Sequence, residues 1–140
     1  IGTGDGHNIG LAIGGRFNIS HGTTLAVLLP HVLAFNVEAA SAKLAEGAGV
    51  MGIDTHGMSE LEAAQACVLA IEKLRNDLQL PDNFKDYGMT VTDEDLEAIA
   101  DTAEYKNKVG ASAGSAPRKG TREDFKRIAV DAYNGKKIAF

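Results

Sequence analysis

The sequence predicts an all-α fold, a single helical bundle over residues 1–140. Apolar residues recur at three- and four-residue steps in several segments. Three of these segments begin with Ser or Thr followed three positions later by Glu or Asp, the pattern of a capping box. No segment alternates apolar and polar residues as a half-buried strand does. With 140 residues and 44% hydrophobic side chains, the chain can bury roughly two-thirds of its unfolded surface.

The first predicted helix runs from about Asp5 to Gly15 and carries a stripe of glycines. Gly6, Gly10 and Gly14 fall on one helical face. Each glycine costs about 1 kcal/mol of helix propensity relative to alanine. We therefore expect another backbone or a ligand to approach this face closely.

The second predicted helix begins near His21 and runs to Phe35. It is apolar almost all round, so we expect it to be the central buried helix of the domain. Pro30 inside it predicts a kink or an interrupted turn. This stretch is also the longest apolar run of the chain, and it is too short to span a bilayer.

Four further helices are predicted. Asn36 is expected to cap one that runs through Leu44 and ends near Gly47 and Gly49. Three others begin at capping boxes, and Pro81 ends the first of the three. The boxes are Ser59 with Glu62, Thr92 with Asp95, and Thr121 with Asp124. The helix that begins at Ser59 has an apolar stripe of Leu61, Ala64, Val68, Ile71, Leu74 and Leu78. Residues 110–120 are predicted to form a loop.

Composition excludes several classes of protein. The net charge of −5 argues against general nucleic-acid binding. A lone cysteine, Cys67, can form neither an internal disulfide nor a cysteine cluster for zinc. We expect a cytoplasmic protein without membrane association. The chain opens on Ile1 instead of Met, which favours a fragment of a longer protein.

Two of the four histidines are candidates for metal binding. His7 lies in the first predicted helix and His21 at the start of the second, so a short turn between the helices would point both imidazoles into the same space. Imidazole suits iron, zinc and nickel. By the pattern alone, core or capping roles are commoner for such a pair, and both interpretations stay open. His31 is predicted to be a hydrogen-bonded core residue, and His56 to lie in a surface loop.

The most specific motif of the chain lies within residues 6–36. It reads His7-x-x-x-Leu11-x-x-Gly14-Gly15-x-Phe17-Asn18-Ile19-Ser20-His21-Gly22, followed by Leu28-Leu29-Pro30-His31-Val32. This motif resembles a known family, the iron-containing (group III) alcohol dehydrogenases, and the resemblance continues in order through weaker motifs near residues 80–96 and 117–124.

The resemblance implies a helical domain that holds one divalent metal, Fe2+ or Zn2+. His7 and His21 match the last two histidine ligands of the family, whereas His31 matches a position that is not a ligand. The implied reaction is NAD(P)-linked oxidation of a small alcohol or reduction of an aldehyde, with the metal polarising the substrate oxygen. Leu11 is an expected wall of the substrate pocket, at a position where the family often has a histidine implicated in proton transfer. Ser20 replaces the family's usual proline.

Other parts implied by the resemblance are missing from this chain. The aspartate and first histidine ligands, and the domain that binds NAD or NADP, would lie upstream. We therefore expect the chain alone to be inactive, and to form a homo-oligomer or associate with the missing N-terminal part. The alternative is a non-catalytic helical interaction module, or a remnant, that binds a partner chain.

Overall fold

The computed structural model describes residues 4–109 and 116–140, and within these ranges it consists of helices joined by turns, without strands. The all-α prediction is confirmed. Residues 116–120 of the predicted loop are non-helical, and the rest of that loop lies outside the described residues. The helices are α1 (Asp5–Phe17), α2 (His21–Asn36), α3 (Ser41–Val50), α4 (Glu60–Asp77), α5 (Asp93–Val109) and α6 (Arg122–Asn134).

The predicted capping boxes form and fix the starts of three helices. At α4, the Ser59 hydroxyl accepts a hydrogen bond from the Glu62 backbone N–H (3.3 Å), and the Glu62 carboxylate accepts one from the Ser59 N–H (2.7 Å). Thr92 and Asp95 make the same reciprocal pair at α5, as do Thr121 and Asp124 at α6. Each box satisfies two backbone donors that the first turn of a helix leaves without intrahelical partners.

The prediction for the third helix was wrong. Asn36 ends α2, where its side-chain amide donates to the Val32 carbonyl (2.8 Å), and it does not cap the next helix. Helix α3 begins at Ser41 and continues through Gly47 and Gly49 to Val50. Gly47 is tolerated because α4 packs against it: a Cβ there would lie 3.2 Å from the Cys67 sulphur. Close packing between the two helices compensates for the low helix propensity of glycine.

Helix α2 is the central element, as predicted, and packs against α1, α4 and α6. It is continuous through the buried Pro30, so the turn there is not interrupted. The glycine stripe of α1 faces α2 and the turn that leads into α2. A Cβ at Gly10 would lie 2.8 Å from the Leu25 side chain. Helix packing thus accounts for the close approach that the stripe predicted.

The apolar stripe of α4 is buried only in part. Its buried face consists mainly of small residues, Ala63, Ala64, Cys67 and Val68. Leu74 and Leu78, at the C-terminal end of the predicted apolar stripe, are 49% and 61% exposed. The face against α3 requires small side chains because the two helices pack closely, and no element of the described chain buries the two leucines.

Candidate metal centre

Helices α1 and α2 bring His7 and His21 together. Helix α1 ends at Phe17, and the backbone of its C-cap residue Asn18 is left-handed (φ 53°), which begins the reversal of the chain. The Ser20 hydroxyl then caps α2 by accepting a hydrogen bond from the Thr23 N–H (3.2 Å). The imidazole rings of His7 and His21 lie with their centroids 4.8 Å apart and their planes at 81°. The expectation that both rings share one space is met.

This spacing fits two imidazoles that share one ion. With nitrogen–metal distances of ~2.0–2.1 Å and tetrahedral geometry, two ring centroids come to about 5 Å from each other. Within residues 4–109 and 116–140, no group of three His, Cys, Asp or Glu residues could hold a metal. The pair therefore offers an incomplete donor set, and metal binding by His7 and His21 stays a prediction.

The burial of the other two histidines agrees with the predictions, and hydrogen bonding by His31 stays a prediction. His31 is buried in α2 at 8% exposure, and this burial lowers its pKa from the ordinary value. The negative charge of Asp131 acts in the opposite direction and raises the pKa, but its effect is smaller. His56 is exposed in a turn, where its backbone N–H donates to the Asp54 carboxylate (3.0 Å).

A cavity of about 490 Å³ lies beside the histidine pair. The N-terminal half of α1 forms one side of it, and the apolar face of α2 forms another. Asp5, His7, Leu25, Leu28, Val32, Leu33, Ala116 and Pro117 are among the lining residues. Leu11, which is 40% exposed one helical turn after His7, is not among them. Its role as a wall of the substrate pocket stays a prediction.

Arg118 holds in place the segment whose residues Ala116 and Pro117 line this cavity. Its backbone N–H donates to the Asn36 side chain (3.1 Å), and its guanidinium donates to the Phe35 carbonyl (3.3 Å). The same guanidinium lies 4.2 Å from the centroid of the Phe35 ring, within the range of a cation–π contact. These contacts hold the preceding Ala116 and Pro117 against the C-terminal end of α2.

Asp5 is the site residue that the sequence analysis missed. It is only 2% exposed, and neither carboxylate oxygen has a hydrogen-bond partner among the described residues. Burial raises its pKa from 3.8 to about 6, with a further contribution from the Asp124 carboxylate. An acidic residue in the first turn of a helix is ordinarily exposed and stabilised by the helix dipole, so the sequence carried no signal of this burial.

The fold and this geometry define an all-helical domain in which two adjacent helices present an imidazole pair beside an apolar cavity. The family model described as the C-terminal domain of the Fe-containing alcohol dehydrogenase family matches residues 1–133. The chain belongs to this family. No helix in the described part of the chain combines the length and the apolar character needed to cross a membrane.

Relatives and solved structures agree with this assignment. Lactaldehyde reductase of Escherichia coli is 36% identical over 133 residues, which cover 95% of this chain and 33% of that protein. For 1,3-propanediol dehydrogenase of Citrobacter freundii the identity is 35%, covering 91% of this chain and 31% of that protein. The solved alcohol dehydrogenase from Oenococcus oeni matches with a TM-score of 0.82 and 35% identity, over 93% of this chain and 32% of its own. The chain thus spans about one third of the length of these relatives.

Proposed function

We propose that this chain is the C-terminal part of a metal-dependent, NAD(P)-linked alcohol dehydrogenase, and that His7 and His21 supply two ligands to its metal. The observation that carries the proposal is the 4.8 Å separation of the two imidazole centroids. Membership of the family supports a divalent metal, Fe2+ or Zn2+. A nucleotide-binding part outside this chain would hold NAD or NADP.

The bound metal would act as a Lewis acid on the oxygen of the substrate. His7 and His21 are suited to this role because neutral imidazoles leave the positive charge of the ion undiminished. The apolar side chains of α2 would keep water from the reacting groups. Leu11 can neither donate nor accept a proton, so proton release would depend on water, a cofactor hydroxyl or another side chain.

The substrate class follows from the relatives. Their names describe lactaldehyde reduction and 1,3-propanediol oxidation, so we propose a small alcohol or aldehyde as the substrate here. The exposed Leu74 and Leu78 favour burial of α4 against another copy or against an upstream part of the protein. Two imidazoles hold a metal weakly compared with a complete set of ligands, so the chain alone is expected to lack dehydrogenase activity.

Zinc titration of the isolated chain tests the proposal. Isothermal calorimetry should detect one weak Zn2+ site per chain, and either His7→Ala or His21→Ala should weaken it by about tenfold or more. His56→Ala is the matched control, because this histidine is exposed in a distant turn, and it should leave the affinity unchanged. Circular dichroism confirms that each variant folds. Unchanged zinc affinity in both His7→Ala and His21→Ala would remove the pair from the metal site.

A further inference from the structure

A second cavity lies between the C-terminal half of α2, helix α6 and residues 136–140. Its volume of about 370 Å³ is within the range of small-molecule sites. It shares no described lining residue with the cavity beside His7, and the two cavities lie on different faces of α2. We propose that this second cavity binds a small phosphate monoester, with Arg118 and Lys137 as the cationic partners of the phosphate group.

The charged side chains around this cavity favour an anion. Among the described residues, four cationic and two anionic side chains line it, namely Arg118, Arg127, Lys136 and Lys137, and Glu38 and Asp131. His31 also lines the cavity and is uncharged at neutral pH, because burial holds its pKa below the ordinary value. The α-carboxylate of Phe140 in the 140-residue chain reduces the excess of positive charge by one and does not remove it.

Two of the four cations are already paired within the protein. The side chains of Arg127 and Lys136 each contact a carboxylate of α6, at 3.1 and 3.3 Å. Arg118 and Lys137 form no ion pair with a described residue. A phosphate monoester carries about two negative charges near neutral pH, so its charge matches these two unpaired cations.

The Arg118 guanidinium is held in place at the wall of the cavity. Its Nη1 donates to the Phe35 carbonyl (3.3 Å), and the group lies 4.2 Å from the centroid of the Phe35 ring. A guanidinium has five N–H donors in a planar fork, and Nη1 is the only nitrogen of this one that donates to a described residue. The remaining donors suit phosphate oxygens, which arginine binds in a bidentate manner.

Apolar side chains form the rest of the wall and determine the organic part of the ligand. Phe35, Val37, Ile128 and Ile138 are among them. Inorganic phosphate would leave this apolar surface in water, whereas an ester with a ring or a short hydrocarbon chain would bury part of it. An apolar wall beside unpaired cations therefore favours a phosphate ester over the free ion.

The distribution of charge along the chain agrees with this assignment. The whole chain has a net charge of −5, but residues 106–140 contain nine basic and three acidic side chains. Arg122 and Lys126 in this segment form ion pairs with Glu97 of α5, so the fold itself accounts for them. Arg118 and Lys137 belong to the same basic segment, and no such contact of the described chain neutralises them.

Calorimetric titration of the 140-residue chain with phenyl phosphate tests the proposal. The Tris buffer is passed over a chelating resin, so the result does not depend on metal binding by His7 and His21. Phenyl phosphate should bind at one site per chain, about tenfold or more tightly than inorganic phosphate, benzoate or phenol. Inorganic phosphate lacks the apolar body, benzoate lacks one of the two charges, and phenol lacks both.

Four variants locate the binding, and circular dichroism checks that each one folds. Lys137→Gln and Arg118→Gln should each weaken phenyl phosphate binding by about tenfold or more. Lys119→Gln is the matched control, because this exposed lysine does not line the cavity, and it should leave binding unchanged. Glu38→Gln removes a negative charge from the wall and should tighten binding by about twofold or more, a gain that a folding defect cannot produce.

Nitrogen–proton NMR spectra of the unmodified chain provide a measurement that does not depend on any variant. Amide shifts on addition of phenyl phosphate should centre on Gln65, Lys137 and Ile138, which line the cavity. Phenyl phosphate that binds no more tightly than inorganic phosphate would overturn the proposal. Equal weakening by Lys119→Gln and Lys137→Gln would also overturn it, because it would show general attraction of anions to the basic segment.

Discussion

The imidazole rings of His7 and His21 meet edge to face, with centroids 4.8 Å apart, although the two residues belong to successive helices. The glycine stripe of α1 permits this contact. A Cβ at Gly6 would lie 3.4 Å from the Val32 side chain, and one at Gly10 would come within 2.8 Å of Leu25. Because these positions lack side chains, α1 can lie close to α2, which carries His21 in its first turn.

Gly120 should tolerate substitution poorly. A Cβ there would lie 2.7 Å from Cζ of Phe125, whose ring is fully buried and cannot move away. Gly120→Ala should therefore lower the free energy of unfolding by about 1–3 kcal/mol. Gly15→Ala is the control: it has no atom within 4 Å of the added Cβ, and it should raise that free energy by up to about 1 kcal/mol. Urea denaturation measures both, and a Gly120→Ala protein as stable as the unmodified chain would contradict the packing.

The contact between α3 and α4 predicts coupling between Gly47 and Cys67. A Cβ at Gly47 would lie 3.2 Å from the Cys67 sulphur, which is tighter than ordinary contact. Cys67→Ala removes the sulphur, so Gly47→Ala should be better tolerated in that background, with a coupling free energy of about 0.5–3 kcal/mol. Gly49→Ala, in the same helix with open space around it, should combine additively with Cys67→Ala. Strict additivity in both pairs would mean that the two helices lie further apart.

Stability should depend on Asp95 at acidic pH. Its carboxylate accepts hydrogen bonds from the Thr92 N–H and hydroxyl (2.8 Å each) and from the Arg16 guanidinium (2.5 Å), and these contacts lower its pKa from 3.8 to about 2. Since the pKa is lower in the folded state, ionised Asp95 stabilises the fold above pH 4, and this contribution is lost as pH falls toward 2. Asp95→Asn should thus be less stable at pH 7, and the difference should shrink between pH 4 and pH 2. Thermal unfolding across this range measures it, and a difference independent of pH would contradict the assigned contacts.

Local signals explain which helices the sequence predicts well. The two residues of a capping box are only three positions apart and lie at the start of the helix itself, so Thr121 with Asp124 marks the start of α6 whatever packs around it. The extent of α3 depends on a distant contact. Gly47 and Gly49 read locally as a helix end, but the sulphur of Cys67 on another helix gives Gly47 a packing partner.

The same distinction applies to the candidate site. The turn between α1 and α2 is short, so the sequence alone indicates that His7 and His21 share one space. Asp5 is different, because its burial depends on how α1 packs against other helices, which no local pattern specifies. An acidic residue near a helix N-terminus gives no sequence signal that separates a buried carboxylate from an exposed one.

Substitution of Leu11 by histidine should strengthen metal binding by the isolated chain. Leu11 lies one helical turn after His7 on the same face of α1 and is 40% exposed, so an imidazole fits there without displacing the core. Three imidazoles approach the three protein ligands that zinc has in catalytic sites, whereas the present pair supplies two. Leu11→His should therefore raise the Zn2+ affinity by about tenfold or more, as measured by calorimetry. Leu11→Gln is the control for a polar side chain without imidazole, and it should bind zinc as the unmodified chain does. The gain must also be lost when His7→Ala is added, because a new site elsewhere on α1 would survive that change and would show that His7 and position 11 do not face the same ion.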